Sequence, residues 1–447
     1  MSHSPVHFVL LSGLVAISAF AEPAAKPNVI FILADDLGYG SLGCYGQKKV
    51  ATPNLDRLAA EGLRFTDFYA GSTVCAPSRC SLMTGKHTGH CWVRGNERIP
   101  LRPQDVTVAE IFKQAGYITG LVGKWGLGEP DTTGIPNRQG FDYFFGYLNQ
   151  RHAHDYYPTY LWRNQERVEL EGNRDNQRRQ YSHDLFTAEA LSFIEKNKSG
   201  PFFLYLAYTV PHANNERQQA EGMGMEVPDY GPYADRDWTV GQKGHAAMIY
   251  RMDRDIGRVM AKLRELGLDE NTLVMFSSDN GPHKEGGYDP EFFDSNGPFR
   301  GIKRDLTDGG IRVPMIARWP ARIRPGVSNV PLAFWDVLPT FAAIVGVEPP
   351  ADIDGISFLP ALLGQDQPKH EYLYWEFHER GFAQGVRFGQ YKGIRKNKGP
   401  IELYDISTDL GEQTDIADRY PQVAARIERI MDEARTDSEH WPVKISK

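Results

Sequence analysis

The chain has 447 residues, 41% hydrophobic and 24% charged, a composition that buries a large core and excludes a disordered or low-complexity protein. Its formal charge of -7 argues against a nucleic-acid binder, which needs a basic surface to displace phosphate counterions. The length suits one large α/β domain with a smaller one appended.

Residues 1–21 read as a secretory signal peptide, because an apolar run from Phe8 to Phe20 precedes a small-x-small site at Ala19-Phe20-Ala21. The run is too short to span a bilayer, and its leading segment carries only His3 and His7 without Lys or Arg. No cysteine follows it to take a lipid, and no later segment has the length of a membrane helix. A secreted or periplasmic protein with no membrane span after cleavage is expected, with a misplaced start site or a tethered N-terminus as the alternatives.

"KPNVIFILADDLGYGSLG" is an apolar strand, Val29 to Leu33, running into Asp35, Asp36 and a glycine turn. Ligand sites in open parallel sheets form at such carboxyl ends. "TPNLDRLAAEGLRFTDFYA" predicts a helix capped near Thr52 and then a strand; "VTVAEIFKQAGYITGLVGKWGLG" predicts a helix from about Val108 and then a strand. A helix "SHDLFTAEALSFIEKN", a buried strand "PFFLYLAY", a long helix from about His245 to Leu266 and a strand "TLVMFSSDNG" follow. This alternation predicts an α/β fold, a large mostly parallel sheet sandwiched by helices.

That domain is expected over 22–365. "GQDQPKHE", 364–371, reads as a linker into a C-terminal subdomain, 366–447: a small antiparallel sheet and the helix "YPQVAARIERIMDEAR".

Cysteines stand at 44, 75, 80 and 91, too few for a disulfide scaffold. Each reads as a buried small hydrophobe or half of one bridge; with Cys75 reserved for chemistry, three remain, enough for one bridge and one buried thiol. Asp35 and Asp36 end one strand, and Asp279 and Asn280 end another. Either pair alone reads as a turn cap, but four oxygen ligands at adjacent strand ends suit a hard divalent cation such as calcium, provided both strands lie near the sheet centre.

In "GSTVCAPSRCSLMTGKHTGH", residues 71–90, Cys75 with Pro77, Ser78 and Arg79, followed by "LMTG", resembles the sulfatase signature C-x-P-S-R, whose cysteine is oxidised to formylglycine. "NVIFILADDLGYGSLGCYG", "GKWGLG", "VPH", "SSDNG" and "RGIKRDLTDGGIRVP" resemble further blocks of the family, in order, over residues 28–314. The chain thus resembles the type I, formylglycine- and calcium-dependent sulfatases of the alkaline-phosphatase-like superfamily.

The resemblance implies a calcium ion on Asp35, Asp36, Asp279 and Asn280, and a formylglycine-generating maturation enzyme as a partner. The hydrated aldehyde has two hydroxyls, one to attack sulfur and one to expel sulfate. Arg79 would steady the hydrate, and Lys124 and Lys303 would grip sulfate oxygens. His212 would lie near the leaving oxygen, where with Lys303 it can protonate the departing alcohol. Singly, any of these basic residues reads as a salt-bridge partner or a core histidine.

The chain departs from the family at Gly126, where many members carry the histidine of G-K-W-H-L-G that is thought to help expel sulfate. His152, His154 or His90 could substitute, and Gln150 lies where the family places another sulfate-contacting residue. On the substrate side, His87, His90, Arg94 and Asn96 follow the signature and His283 follows the metal pair. Trp375, Phe377 and His378 could offer a wall from the small domain, with core packing favoured for Phe377.

The blocks are similar to bacterial glycan sulfatases active on 4-sulfated galactose or N-acetylgalactosamine, which implies a sulfated carbohydrate as the substrate. Two rivals remain: a phosphate or phosphonate ester hydrolase of the same superfamily, although zinc members typically carry D-H in place of Asp279-Asn280, and a non-catalytic sulfated-glycan binder. Sugar identity, exo or endo action and oligomeric state are open.

Overall fold

The computed structural model describes Met1 and residues 26–443. The expected signal segment, Met1 apart, lies outside the described residues. The strands are β1 (Asn28–Ala34), β2 (Leu63–Phe65), β3 (Phe68–Tyr69), β4 (Ile118–Lys124), β5 (Tyr143–Tyr147), β6 (Tyr160–Arg163), β7 (Glu166–Glu169) and β8 (Phe202–Ala207). They continue with β9 (Thr272–Ser278), β10 (Met315–Arg318), β11 (Gly326–Ser328), β12 (Leu332–Ala333), β13 (Leu373–Phe377), β14 (Ala383–Phe388), β15 (Tyr391–Lys396) and β16 (Ile401–Asp405).

Ten strands form one sheet in the order β11-β2-β10-β9-β1-β8-β4-β5-β6-β7. Its centre, β9-β1-β8-β4-β5, is parallel throughout, while β10 and the β6–β7 hairpin run antiparallel. β1 and β9 are buried at every residue, as strands covered on both faces must be. Ile30 and Ile32 face one core, with the helices Pro53–Ala60, Ser182–Lys196 and Val240–Glu265. Val29, Phe31 and Leu33 face the other, with Cys75–Thr84, Val108–Gln114 and Val337–Val345.

The β1–β9 register pairs Ala34 with Ser278, so both strands end at the same level in the middle of the sheet. Asp35-Asp36 and Asp279-Asn280 therefore emerge side by side. Lys124 ends β4, one strand beyond β8.

The long helix starts at Val240, earlier than the sequence pattern suggests. Thr239 and Gln242 form a reciprocal capping box there, with bonds of 3.2 and 2.9 Å. Gly241 and Gly244 hide this start by reading as helix breakers. They are needed because a Cβ on Gly241 would lie 2.1 Å from Gly287 O, and one on Gly244 2.5 Å from Met225 O.

β13–β16 form an antiparallel sheet in chain order, against which the helix Pro421–Glu433 buries Ile427, Ile430 and Met431. Of the two readings kept for the cysteines, bridge half or unpaired thiol, the structure has the second, since all four cysteines are free. Cys44 packs on one face of the main sheet, whereas Cys80 and Cys91 lie in the core on the other.

Candidate active site

Cys75 opens a helix whose ten residues are all buried, and Gly85 at φ +70° closes it. The first turn is tied down by side chains: Gly71 N–H donates to Ser78 Oγ at 3.1 Å, and Ala76 N–H to Asn96 Oδ1 at 3.0 Å. Cys75 Sγ lies 3.3 Å from Asp35 Oδ1 and 3.9 Å from Asp36 Oδ1. Arg79 follows one helical turn later, on the same face. Its Nε and Nη2 donate to Asp279 Oδ2 at 3.1 and 2.8 Å, and its Nη1 to Lys124 O at 2.7 Å.

Two buried lysines complete the ring. Lys124 Nζ is 2.6 Å from Asp35 Oδ2, and Lys303 Nζ is 2.7 Å from Asp36 Oδ2 and 3.1 Å from His212 Nε2. His212 Nδ1 is 2.6 Å from Ala213 O, so it carries the hydrogen and leaves Nε2 as an acceptor for Lys303. Burial, and then the charge of Lys303, hold His212 well below the usual histidine range. Burial pushes Asp35 upward, but Lys124, His212, Arg79 and Lys303 outweigh it and hold its carboxyl low. Burial, followed by the charge of Asp35, raises the Cys75 thiol well above its ordinary value, so an unmodified Cys75 is no thiolate nucleophile near neutrality.

The oxygens of Asp35, Asp36, Asp279 and Asn280 fit a hard cation. Asp279 is pushed up to about 7, first by burial and then by Asp35, with Asp36 also contributing, which marks crowded carboxylates. Asn280 Nδ2 donates to Asp36 Oδ1 at 2.7 Å, while its buried Oδ1 has no protein partner. An orphaned acceptor among crowded carboxylates is the donor set that suits calcium.

Other residues singled out from the sequence have different settings. His154 stacks on His212 with centroids 4.7 Å apart and meets Glu216 at 3.0 Å, while His152 lies between Tyr147 and Tyr160. His283 faces Pro211 O at 3.0 Å through Nε2 and accepts from Glu285 N–H through Nδ1, so both ring nitrogens are engaged. His90 Nδ1 meets Asp354 at 2.8 Å and its ring stacks on His87.

Arg94 is a correction. It is 2% exposed, and it joins Glu376 at 2.8 Å, Thr436 O at 2.9 Å and Cys91 O at 2.9 Å, which leaves it no reach to a ligand. Trp375 is another. Fully buried between Tyr69 and Trp335, it donates to Ala70 O at 2.9 Å, because the small sheet docks through that face. Phe377 is buried in the same cluster, and His378 is held on Glu376 at 3.0 Å.

Sequence reading passed over Glu285, in "DNGPHKEGG". Burial raises its carboxyl, but Lys303 and other charges bring it to about 2, and Arg304 binds it at 2.9 Å. An acid five residues past the strand-end Asp279-Asn280 pair was the available signal. Tyr205 was also passed over; it is fully buried, burial raises its hydroxyl, and the neighbouring Arg79 opposes that shift. Its place in an apolar strand offers no sequence cue.

Comparison with known proteins adds an independent line. A family model described as Sulfatase matches residues 27–347, and one described as N-sulphoglucosamine sulphohydrolase, C-terminal, matches 300–437. The chain is 30% identical to an N-acetylgalactosamine-6-O-sulfatase of Bacteroides thetaiotaomicron, over 93% of this chain and 94% of that one. It is 32% identical to arylsulfatase A of Homo sapiens, over 90% and 85%. Among solved structures, Ps i-CgsB in complex with k-i-k-neocarrahexaose superposes with a TM-score of 0.81 at 29% identity, covering 94% of this chain and 95% of that one.

Proposed function

The chain belongs to the sulfatase family and is a sulfuric ester hydrolase; from that premise we propose that it cleaves sulfate esters of carbohydrates, using formylglycine made from Cys75 and a calcium ion on Asp35, Asp36, Asp279 and Asn280. The observation that carries this reading is the convergence of Arg79, Lys124, Lys303 and His212 on Asp35 and Asp36, the two carboxylates that Cys75 Sγ lies against. When present, the cation would polarise a sulfate oxygen and the hydrated aldehyde would supply two hydroxyls on one carbon.

The remaining chemistry belongs to the chain's own side chains. Lys124 and Lys303 bring buried positive charge to the oxygens of the sulfate, where low dielectric strengthens it. Arg79, anchored on Lys124 O and Asp279, holds position 75 in place from one turn along the helix. Lys303 and His212 keep a proton on the leaving-oxygen side for the departing alcohol.

The proposed sugar is galactose or N-acetylgalactosamine. The sequence blocks favour the 4-sulfate, whereas the Bacteroides relative is named for the 6 position, and both are kept for test. A polar cleft of about 810 Å³, lined by Tyr157, Tyr160, Asn149 and Asn173 together with arginines and the carboxylates Asp155, Glu216 and Glu221, offers room and hydrogen-bonding groups for a sugar. It adjoins the site through Asn149, beside Gln150, and through Glu216, the partner of His154. Among the described residues no helix is long and apolar enough to cross a membrane, and secretion or periplasmic residence remains the proposal carried by the N-terminal segment.

The test is free sulfate released from galactose and N-acetylgalactosamine sulfated at the 3, 4 or 6 position, with the aldehyde verified by mass and Cys75→Ala as control. Release from one position, absent in the control, establishes reaction and substrate together. Binding without release by aldehyde-bearing protein would overturn the reading in favour of a sulfated-glycan binder.

A further inference from the structure

The register of the small sheet sets Phe377, Ala383 and Lys396 in one row across β13, β14 and β15, and Ile394 beside Glu402 in the next. Lys396 and Ile394 are two residues apart on β15, so these side chains share one face of the sheet. Between that face and the segment 300–307 of the main domain lies a cavity of about 340 Å³. Leu306, Phe377, Ala383 and Ile394 make part of its lining apolar, and Arg300, Arg304 and Lys396 bring three cations to it.

These charges do not cancel within the lining. Arg304 is shared by Glu285 at 2.9 Å and Glu379 at 3.2 Å. The acids of the lining are occupied: Asp305 Oδ2 accepts from Ile302 N–H and Glu402 Oε2 from Tyr404 O–H, both at 2.9 Å. Among the described residues neither Arg300 nor Lys396 has an ion-pair partner, and Arg300 Nε is buried with no hydrogen-bond partner in the protein. The Arg300 guanidinium lies over the Tyr404 ring at 5.1 Å, and Tyr404, Glu412 and Glu402 uphold its charge against burial. Lys396 stands at the exposed end of β15. A buried charged donor without an acceptor is costly, so Arg300 points to an anion from outside the chain.

One residue separates this cavity from the reacting centre. Lys303 turns to Asp36, and Arg304 lines the cavity. The N–H of Arg304 donates to Thr73 O at 3.0 Å, two residues before Cys75, and its partner Glu285 is held low by Lys303. We propose that the cavity is a second anion subsite, which takes the carboxylate or sulfate of a sugar unit next to the one that carries the scissile sulfate. The proposal rests on the sulfatase reading above. Arg300 and Lys396 meet the oxyanion, and the apolar lining receives the C–H face of the ring. The substrate is then a charged oligosaccharide, with the sulfated monosaccharide as its minimal fragment.

The test uses the full-length, aldehyde-bearing enzyme and the best sugar sulfate of the panel, alone and as disaccharides with a neutral, a glucuronate or a sulfated neighbour on either side. A hydrogen bond to a charged group sets the scale, so KM for at least one charged disaccharide lies about tenfold below that for the neutral one, with kcat alike. The glucuronate and sulfate arms tell which oxyanion is taken. Arg300→Met reduces the KM ratio between neutral and charged disaccharides towards one. Lys396→Met, at an exposed strand end, reduces it in the same direction and answers if the Arg300 variant folds poorly. Equal KM values for charged and neutral disaccharides in the wild type overturn the subsite alone, as does a ratio that survives in the folded variants. Absence of release from every substrate overturns the sulfatase reading and the subsite with it.

Discussion

Lys303 Nζ stands 3.1 Å from His212 Nε2, and because Ala213 O occupies Nδ1, the lysine is the donor and the histidine the acceptor. In the proposed reaction the two act as a unit that supplies the proton to the leaving oxygen. His212→Ala and Lys303→Ala are each expected to lower kcat on sugar sulfates by about 10²–10⁴-fold. The double variant should be little worse than the poorer single, since groups acting as a unit are not additive. On aryl sulfates, whose phenol departs without a proton, the losses should be smaller. Equal losses on both substrate types would remove the proton-donor role.

Cys75→Ser retains one hydroxyl where the hydrated aldehyde has two. It is expected to accept sulfate once and stop, and intact mass after incubation with substrate should show a sulfated protein. Sustained turnover by this variant would contradict the proposed chemistry.

Calcium binding should stabilise the protein, by about 2.7 kcal/mol at a hundredfold excess over Kd. The gain should depend on pH in a set direction. Without the cation, Asp279 is raised from 3.8 to about 7, so its protonated form adds stability below the lower value that is lost as pH rises through the upper one. The calcium increment in Tm is therefore expected to be larger at about pH 8 than at about pH 5. Asp279→Asn should flatten that difference, and equal increments at both pH values in the wild type would count against Asp279 as a ligand.

Arg94→Ala should act on folding. Breaking a buried ion pair costs about 3–5 kcal/mol, and the lower end is expected because Arg435 and His378 also meet Glu376 at 3.0 Å. Chemical denaturation of the variant measures the loss. A changed preference among sulfate positions with unchanged stability would restore Arg94 to the substrate site.

The central architecture was readable in the sequence because its strands are apolar throughout and end in acids, amides or lysine. Asp35, Asp36, Lys124, Asp279 and Asn280 lie at the carboxyl ends of β1, β4 and β9 for the same reason that those ends attract notice. The settings of Arg94 and Trp375 were not readable, since each depends on a partner far along the chain: Glu376 for the first, Ala70 for the second. The β6–β7 hairpin escaped notice because Asn164, at φ +54°, is followed by Gln165 and lacks the glycine that flags such a turn. Gly126 was visible as a departure, but only the fold shows that a Cβ on it would lie 2.5 Å from Gln150 Nε2.

The burial of Cys75 also bears on the order of events in the life of the protein. Its side chain is 2% exposed, at the start of a helix with no exposed residue and beneath a network of ion pairs. A maturation enzyme large enough to recognise several residues around the thiol has no route to it once β1, β9 and that helix have assembled. Under the proposed chemistry, conversion to the aldehyde therefore belongs to the time before folding, while "CAPSR" is still an extended segment. Chain that folds first is committed to the thiol for as long as it stays folded, and the active fraction of a preparation is then decided by a race between modification and folding.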